Sequence, residues 1–406
     1  MMIEDLKSRY LERYRESPIL TVFLTLMGLS LFITMILSAV SRDYFLSVLG
    51  KMSQHVFMDY FWSVSDSINL PYSELNVIYP PLAVCIYSII GRYTLPFVDA
   101  TTGDRYLDMY NSQIPMMVFI LLTGAGIFLL LTLVRRTIPR ETSENGTLLL
   151  LFLMLFSFPM IIAVQNGNNI IYVTFFVLLF MLTYRSENKW MRYVSYVSLG
   201  MAAGFKFLPA ILGLLILRDR RYTEFLACVV IVFALTVVPV VFTDGTIMSI
   251  LDNIRSLPID AGGSVNNISK LFTYFGDMYN LSWLETVGFV LLVTVTVLTA
   301  VVFALDREMK TWKLMALAAC LFVLGPGVGT PYLYIYFIPA AALMIASEKE
   351  ATRENLISVI LITLPLMLFT MDLMHLKIIA NFVLMFWLLY EGISDILIPK
   401  PGKEKL

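Results

Sequence analysis

The sequence has few charged residues for its length. Only 15% of its 406 residues are Asp, Glu, Lys or Arg, whereas 58% are hydrophobic. A soluble domain carries about 25% charged residues, so this chain lacks the polar surface that a soluble fold needs. The formal net charge of −1 gives no sign of the basic balance with which nucleic-acid-binding proteins attract phosphates. The two shortages predict a membrane protein that contacts membrane lipids and no nucleic acid.

Cysteine and histidine are also scarce. The three cysteines, Cys85, Cys228 and Cys320, lie in apolar stretches without the spacing of metal ligands, so we interpret them as small core residues. The sequence contains only two histidines, and it shows no zinc motif, no P-loop and no Ser-His-Asp order. We therefore predict no cofactor and no metal site.

Long hydrophobic runs, by contrast, recur along the chain. A bilayer core about 30 Å thick requires roughly 18 or more apolar residues in each spanning helix. The runs predict an all-α integral membrane protein, a polytopic bundle of about twelve transmembrane helices. The predicted segments are 18–40, 113–134, 147–165, 168–185, 189–206, 207–218, 223–242, 284–304, 312–326, 331–346, 355–371 and 376–396.

Clusters of Lys and Arg give the predicted orientation, because short cytoplasmic loops carry an excess of these residues. With twelve crossings, every basic cluster lies on one side and both termini are cytoplasmic; we expect the plasma membrane. Residues 79–97 are apolar enough for a further crossing, but that crossing would move the later basic clusters outside. We therefore predict one membrane domain, 1–406, with juxtamembrane helices in a first outer loop, 41–112, and a second outer loop at 243–283.

The first outer loop places an acidic residue among aromatic ones. Asp59 and Tyr60 belong to the stretch HVFMDYFW. Removing water from a carboxylate raises its pKa toward the range of a useful general base. The alternative is an interfacial helix whose Asp59 and Asp66 face water. We expect three further acids of this loop to be solvated: Asp99, Asp104 and Asp108.

A lysine interrupts one apolar stretch of the chain. Lys206 and Pro209 lie between two short apolar runs. A lysine at membrane depth costs on the order of 2–3 kcal/mol or more unless it faces a cavity or a partner. The pattern therefore predicts non-helical backbone and a charge that line a cavity.

Two groups of polar side chains, most of them amides, lie on the predicted outer side. The first group is Gln165, Asn166, Asn168 and Asn169, which form either a tight turn or a set of hydrogen-bond donors and acceptors for a hydroxylated ligand. The second group is Asn266, Asn267 and Lys270, which suit the binding of a sugar or phosphate as well as they suit a plain loop.

These features, in this order, resemble glycosyltransferase family 87, the polyprenyl-phosphate-mannose-dependent enzymes of the GT-C fold. The family pattern is an Asp before an aromatic residue, then Tyr-Pro-Pro-Leu, Gly-Gln-x-Asn, Lys-x-x-Pro and Asn-Gln-Ser. The resemblance covers roughly residues 18–345. The corresponding stretches here are Asp59-Tyr60, Tyr79-Pro80-Pro81-Leu82, Gln165-Asn166-Gly167-Asn168-Asn169, Lys206-Phe207-Leu208-Pro209 and Asn267-Ile268-Ser269.

Two stretches depart from the family pattern. Where the family often has Ser-Trp-x-His in a late outer loop, this chain has Gly-Val-Gly-Thr-Pro-Tyr over 327–332 and no histidine. The glutamine of Asn-Gln-Ser is replaced by Ile268. Both departures leave the sugar and the acceptor open.

The resemblance implies an inverting transfer of a hexose, mannose in the family, from a polyprenyl-phosphate donor to a lipid or glycan acceptor. Asp59 would be the general base, and Lys206, or else Arg105 or Lys270, would offset the charge of the departing phosphate. The implied substrate-binding residues are Tyr60, Tyr79, Gln165, Asn166, Asn168, Asn169, Lys206, Asn266, Asn267 and Lys270.

Two other functions are compatible with the sequence. A transporter or flippase of a lipid-linked or small substrate would also use short helices and a charge around Lys206. A scaffold subunit without activity is the third possibility. Asp59 separates them, because only the enzyme requires a general base at that position.

Overall fold

The computed structural model describes residues 17–48, 56–255, 267–325, 330–369 and 373–398. Within these ranges every regular element is a helix. The α-helices are α1 Pro18–Val40, α2 Arg42–Val48, α3 Met58–Ser67, α4 Pro81–Thr94, α5 Arg105–Asn111, α6 Gln113–Thr137, α7 Glu144–Leu155, α8 Phe158–Asn166, α9 Ile170–Thr183, α10 Lys189–Phe205, α11 Leu214–Arg218, α12 Tyr222–Thr236, α13 Ile247–Arg255, α14 Ile268–Tyr279, α15 Trp283–Leu305, α16 Thr311–Leu324, α17 Phe337–Ser347, α18 Arg353–Thr363 and α19 Met374–Leu397.

Short 3₁₀-helices interrupt or extend several of these elements. Each has a proline at its first or second position. Proline lacks the N–H that an α-helix uses and its ring clashes with the preceding turn, so these prolines end α-helical pairing locally. The 3₁₀-helices are Leu95–Phe97, Leu208–Gly213, Val238–Phe242, Pro331–Tyr336 and Leu364–Leu366.

The described helices confirm a helical membrane protein but do not support twelve crossings. Five are long and apolar enough to span a bilayer, and α7 with α8, bent by 47° at their junction, would make a sixth. Other predicted segments fold as shorter apolar helices, because a run of apolar residues does not reveal where proline or a polar turn ends a helix. The five are α1, α6, Tyr222–Phe242, α15 and α19. The shorter ones are Ile170–Thr183, Leu208–Arg218, Thr311–Leu324 and Pro331–Ser347.

The chain divides into two compact units. Unit 1 comprises residues 1–53, 131–162 and 262–406, and unit 2 comprises residues 54–130 and 163–261. The single membrane domain, its two outer loops and the cytoplasmic termini stay predictions.

Unit 1 has α16 at its centre. Every residue from Trp312 to Leu324 is buried, and α16 packs against α17 and α19. A buried cation near its start, Lys313, pairs with Glu354 at 2.5 Å and with Glu391. The pairing offsets the cost of removing that charge from water.

Unit 2 is built around α10, which packs against α9 and α12. Small residues allow these helices to approach closely. A Cβ atom at Gly204 would meet Leu82 of α4 and lie 3.1 Å from the Leu235 carbonyl oxygen. This close packing fixes the end of α10, where Lys206 follows, and the start of α4, which follows Tyr79.

Candidate active site

The first turn of α3 carries Asp59. The helix begins after Phe57, whose φ of +65° is left-handed and costs a non-glycine residue about 1–2 kcal/mol. The N–H of Phe57 donates to the carbonyl oxygen of Gln165 at 2.7 Å, and its ring packs on Phe119 with centroids 4.5 Å apart. These contacts hold the start of α3, and therefore Asp59, against the turn that follows α8.

That turn is a helix C-terminus closed by a glycine. The N–H of Gly167 donates to Val164 at 3.0 Å and the N–H of Asn168 to Ala163 at 2.9 Å, the bond pattern of a Schellman motif. Gly167 has a left-handed φ of +68°, and a Cβ atom there would lie 3.0 Å from the Cβ of Tyr60. Only glycine meets both requirements, so α3 can lie directly on the turn.

Asn168 joins the turn to Asp59. Its Oδ1 accepts the N–H of Ile170 at 3.0 Å, and its Nδ2 donates to Asp59 Oδ2 at 2.6 Å. Because the Ile170 N–H is a donor, the oxygen of the amide must face it, and the NH₂ group must face the carboxylate. The segment is therefore a tight turn, and one of its amides reaches Asp59; contact of the other amides with a hydroxylated ligand stays a prediction.

Lys206 lies where α10 ends. Its backbone is extended, with φ of −150° and ψ of 122°, and the 3₁₀-helix that contains Pro209 begins at Leu208. This confirms the predicted break. The Nζ of Lys206 lies 4.5 Å from the centroid of the Tyr79 ring, a cation–π distance that is favourable for a partly desolvated ammonium group.

The backbone of Tyr79 is held by residues that the sequence did not single out. The Tyr72 hydroxyl donates to the Tyr79 carbonyl oxygen at 2.7 Å. Asp244 in turn accepts the N–H of Tyr72 at 3.2 Å and the N–H and hydroxyl of Ser73 at 2.9 and 2.6 Å. No local pattern marks Asp244, because its partners lie about 170 positions earlier in the chain.

Three tyrosine rings connect the two ends of the site. The Tyr87 ring meets that of Tyr60 at 6.3 Å and that of Tyr79 at 6.1 Å, both edge to face. The side chain of Asn169 lies close enough to the Tyr87 hydroxyl to affect it electrostatically. Tyr87, which the sequence analysis missed, therefore lies between the neighbour of Asp59 and the ring beneath Lys206.

The charges around Asp59 suit a general base. Burial raises the pKa of its carboxyl group above the usual value, whereas the hydrogen bond from Asn168 and the positive charge of Lys206 act in the opposite direction. A raised pKa makes a carboxylate more basic. Asp59 is half-buried and accepts a hydrogen bond from Asn168, so its carboxylate does not simply face water.

An apolar groove lies beside these residues in unit 2. Its volume is about 300 Å³. Phe207 follows Lys206 directly, and Pro81 comes two positions after Tyr79, so two of the lining residues adjoin the cation–π pair. The lining residues are Pro81, Phe207, Thr236, Val237, Val240, Ile247, Ile250 and Leu251.

Unit 2 thus brings together most of the predicted site. Asn166 ends α8 and is half-buried. Asn267 and Lys270 belong to unit 1, where Asn267 Oδ1 accepts the Lys270 N–H at 3.1 Å and caps α14. Asn266 lies outside the described residues. The substrate contacts themselves stay predictions. The predicted residues that belong to unit 2 are Asp59, Tyr60, Tyr79, Gln165, Asn166, Asn168, Asn169 and Lys206.

One acid of the first outer loop differs from its predicted state. Asp108 is 4% exposed and accepts the N–H groups of Thr101 and Thr102 at 3.0 and 2.8 Å. These hydrogen bonds lower the pKa of its carboxyl group. The expectation that Asp108 is solvated is wrong, because the loop folds back onto its side chain.

Asp244→Ala is expected to lower the thermal stability of the protein. The change removes three hydrogen bonds to a carboxylate, each worth roughly 1–3 kcal/mol, and releases the Tyr72 segment that holds Tyr79. Thermal unfolding of the solubilised protein measures the effect. The control is Asp277→Ala, at an exposed aspartate of α14. Equal melting temperatures for both variants would show that Asp244 does not hold this segment.

Comparison with known proteins supplies one match. The sequence profile of glycosyltransferase family 87 matches residues 77–326, more than half of the chain, and includes Tyr79, the Asn168 turn and Lys206. Asp59 lies before the matched range. Searches of characterised proteins and of solved structures gave no match. The family match covers more than half of the chain, and the long apolar helices are those of a membrane protein. The chain therefore belongs to glycosyltransferase family 87 and is a membrane glycosyltransferase.

Proposed function

We propose that the protein transfers a hexose, mannose by its family resemblance, from a polyprenyl-phosphate donor to a hydroxyl group of a lipid or glycan acceptor, with inversion. The reaction takes place at the outer face of the plasma membrane, and both termini are cytoplasmic.

The observation that supports this proposal is that unit 2 contains both Asp59 and Lys206 and brings their charges close enough to interact. The positive charge of Lys206 acts on the Asp59 carboxylate, so a base and a cation belong to the same site. An inverting transfer needs both groups, because one substrate oxygen loses a proton while another gains negative charge.

The bond changes follow from these roles. Asp59 removes the proton of the acceptor hydroxyl as its oxygen attacks the anomeric carbon of the sugar. The bond between that carbon and the phosphate oxygen breaks, and the electron pair stays on the phosphate. Lys206 stabilises the charge of the departing phosphate. No further reactant is required.

The apolar groove supports a lipid-linked donor. A phosphate near Lys206 would place the first carbons of its lipid chain beside Phe207 and Pro81, which line the groove. Burying apolar surface stabilises such a chain by about 25 cal/mol per Å². A nucleotide sugar, with its polar base and ribose, would gain nothing from such a lining.

The test is a transfer assay with purified, full-length protein in lipid nanodiscs. Radiolabelled mannose or glucose is supplied either on polyprenyl phosphate or on a nucleoside diphosphate, with membrane lipid extract and oligosaccharides as acceptors. We expect product only from the polyprenyl-phosphate donors. Transfer from the nucleotide sugar alone would contradict the proposed donor, and donor transport without transfer would favour the flippase.

A further inference from the structure

The hydrogen bonds of Asn168 assign this residue a different role from the substrate contact that the sequence predicted. We propose that Asn168 is a positioning residue, which fixes the Asp59 carboxylate so that Oδ1 receives the proton of the acceptor. This inference rests on the proposed function for the identity of the reaction.

The orientation of the amide follows from the turn. The Schellman motif at Gly167 fixes the backbone of Asn168, and the Ile170 N–H donates a hydrogen bond to the Asn168 Oδ1. Asn168 is only 5% exposed, so its side chain has little freedom to turn. Both ends of the amide are therefore committed within the protein before any substrate arrives.

The consequence for Asp59 is a carboxylate with two different oxygens. The amide NH₂ holds Oδ2 at 2.6 Å, a short distance typical of a hydrogen bond to a charged acceptor. Oδ1 is then the oxygen that can take a proton. A general base must keep its accepting oxygen in place, since misplacement by about 1 Å can cost roughly 10²-fold in rate.

The same hydrogen bond tunes the base. It opposes the effect of burial on the Asp59 pKa, as does the charge of Lys206. Tyr87 of α4 also interacts electrostatically with Asp59. Without the Asn168 donor, burial is opposed by Lys206 alone, so the pKa of Asp59 rises further and the active carboxylate forms only at higher pH.

The decisive variant is Asn168→Ser. A serine hydroxyl can still accept the Ile170 N–H, as serine does at helix starts, but it is too short to reach Asp59 and adds no charge. Asn188→Ser is the matched control, because Asn188 Oδ1 accepts the N–H of Trp190 at 2.9 Å in the same way at the start of α10.

The first readout does not depend on activity. Infrared titration of the full-length protein follows the carboxyl band that Asp59→Asn abolishes. We expect Asn168→Ser to raise the midpoint of that band by about one pH unit, the shift typical of one lost hydrogen bond to a carboxylate. Asn188→Ser should leave it unchanged, and an unchanged midpoint in Asn168→Ser would overturn the inference.

The second readout is the pH profile of transfer. We expect Asn168→Ser to lower kcat about 10- to 100-fold, with KM values near those of the wild type and an acidic limb moved to higher pH. A raised KM with unchanged kcat would identify a substrate contact instead. If the wild type transfers nothing, the proposed function fails, while the infrared titration still tests the position of Asn168.

Discussion

Asp59→Asn is expected to lower the transfer rate about 10²- to 10⁴-fold, the range typical of a lost general base. The amide has nearly the shape of the carboxylate but cannot accept the proton of the acceptor hydroxyl. Binding of the donor should persist, because the cation Lys206 and the groove are unchanged. Single-turnover transfer of labelled sugar, with donor binding measured in parallel, checks both expectations.

Asp66→Asn is the matched control. Asp66 lies two turns after Asp59 on α3, and burial together with Asp104 raises its pKa to about 6. It is a partly buried acid of the same helix, outside the site, so its removal should leave transfer near the wild-type rate. If Asp59→Asn retains full activity, another group is the base; if it retains full transport, the protein is a transporter.

Lys206→Met is expected to reduce kcat about 10²- to 10³-fold, because one preorganised group that stabilises developing negative charge contributes this much. Methionine keeps the apolar length of the side chain and its place over the Tyr79 ring. The fold reduction of kcat should exceed the fold change in the KM for the donor, since the phosphate carries more negative charge as it leaves than in the bound donor. Steady-state kinetics with varied donor concentration separates the two effects.

The same variant has a consequence for pH. Lys206 lowers the pKa of Asp59, so its removal should raise that pKa and move the acidic limb of the rate profile to higher pH. Lys189→Met is the control. The Nζ of Lys189 lies 5.9 Å from the centroid of the Tyr193 ring, at the exposed start of α10, the helix that Lys206 follows.

Two further substitutions decide which cation holds the phosphate. Arg105→Met and Lys270→Met remove the loop cations that the sequence left as alternatives. We expect both to retain most of the activity. A severe loss in either, with Lys206→Met nearly as active as the wild type, would transfer the role to that loop.

Several features of the site were readable from the sequence because they rest on local chemistry. The proline at 209 ends a helix wherever it occurs in such a run, so the break after Lys206 could be predicted. Glycine at 167 after an apolar helix likewise predicts a turn. Aromatic neighbours of Asp59 indicated desolvation, and the pKa of Asp59 is raised by burial.

Other features depend on residues far apart in the chain. Asp244 holds Tyr72 and Ser73, Tyr87 packs between two other tyrosines, and Asn168 reaches Asp59 across more than a hundred positions. No spacing rule links such partners. The prediction of twelve crossings is not supported for a related reason, because hydropathy measures the apolar content of a run and not the length of helix that forms within it.

The sequence by itself determined that this protein is helical, enters a membrane and belongs to a glycosyltransferase family, because composition and short motifs are properties of contiguous residues. Only the tertiary structure decided that Asn168 contacts the carboxylate of Asp59 and that Lys206 lies over Tyr79. These pairings depend on how the closely packed helices of unit 2 orient their ends, which is fixed by side-chain packing and by hydrogen bonds between distant segments.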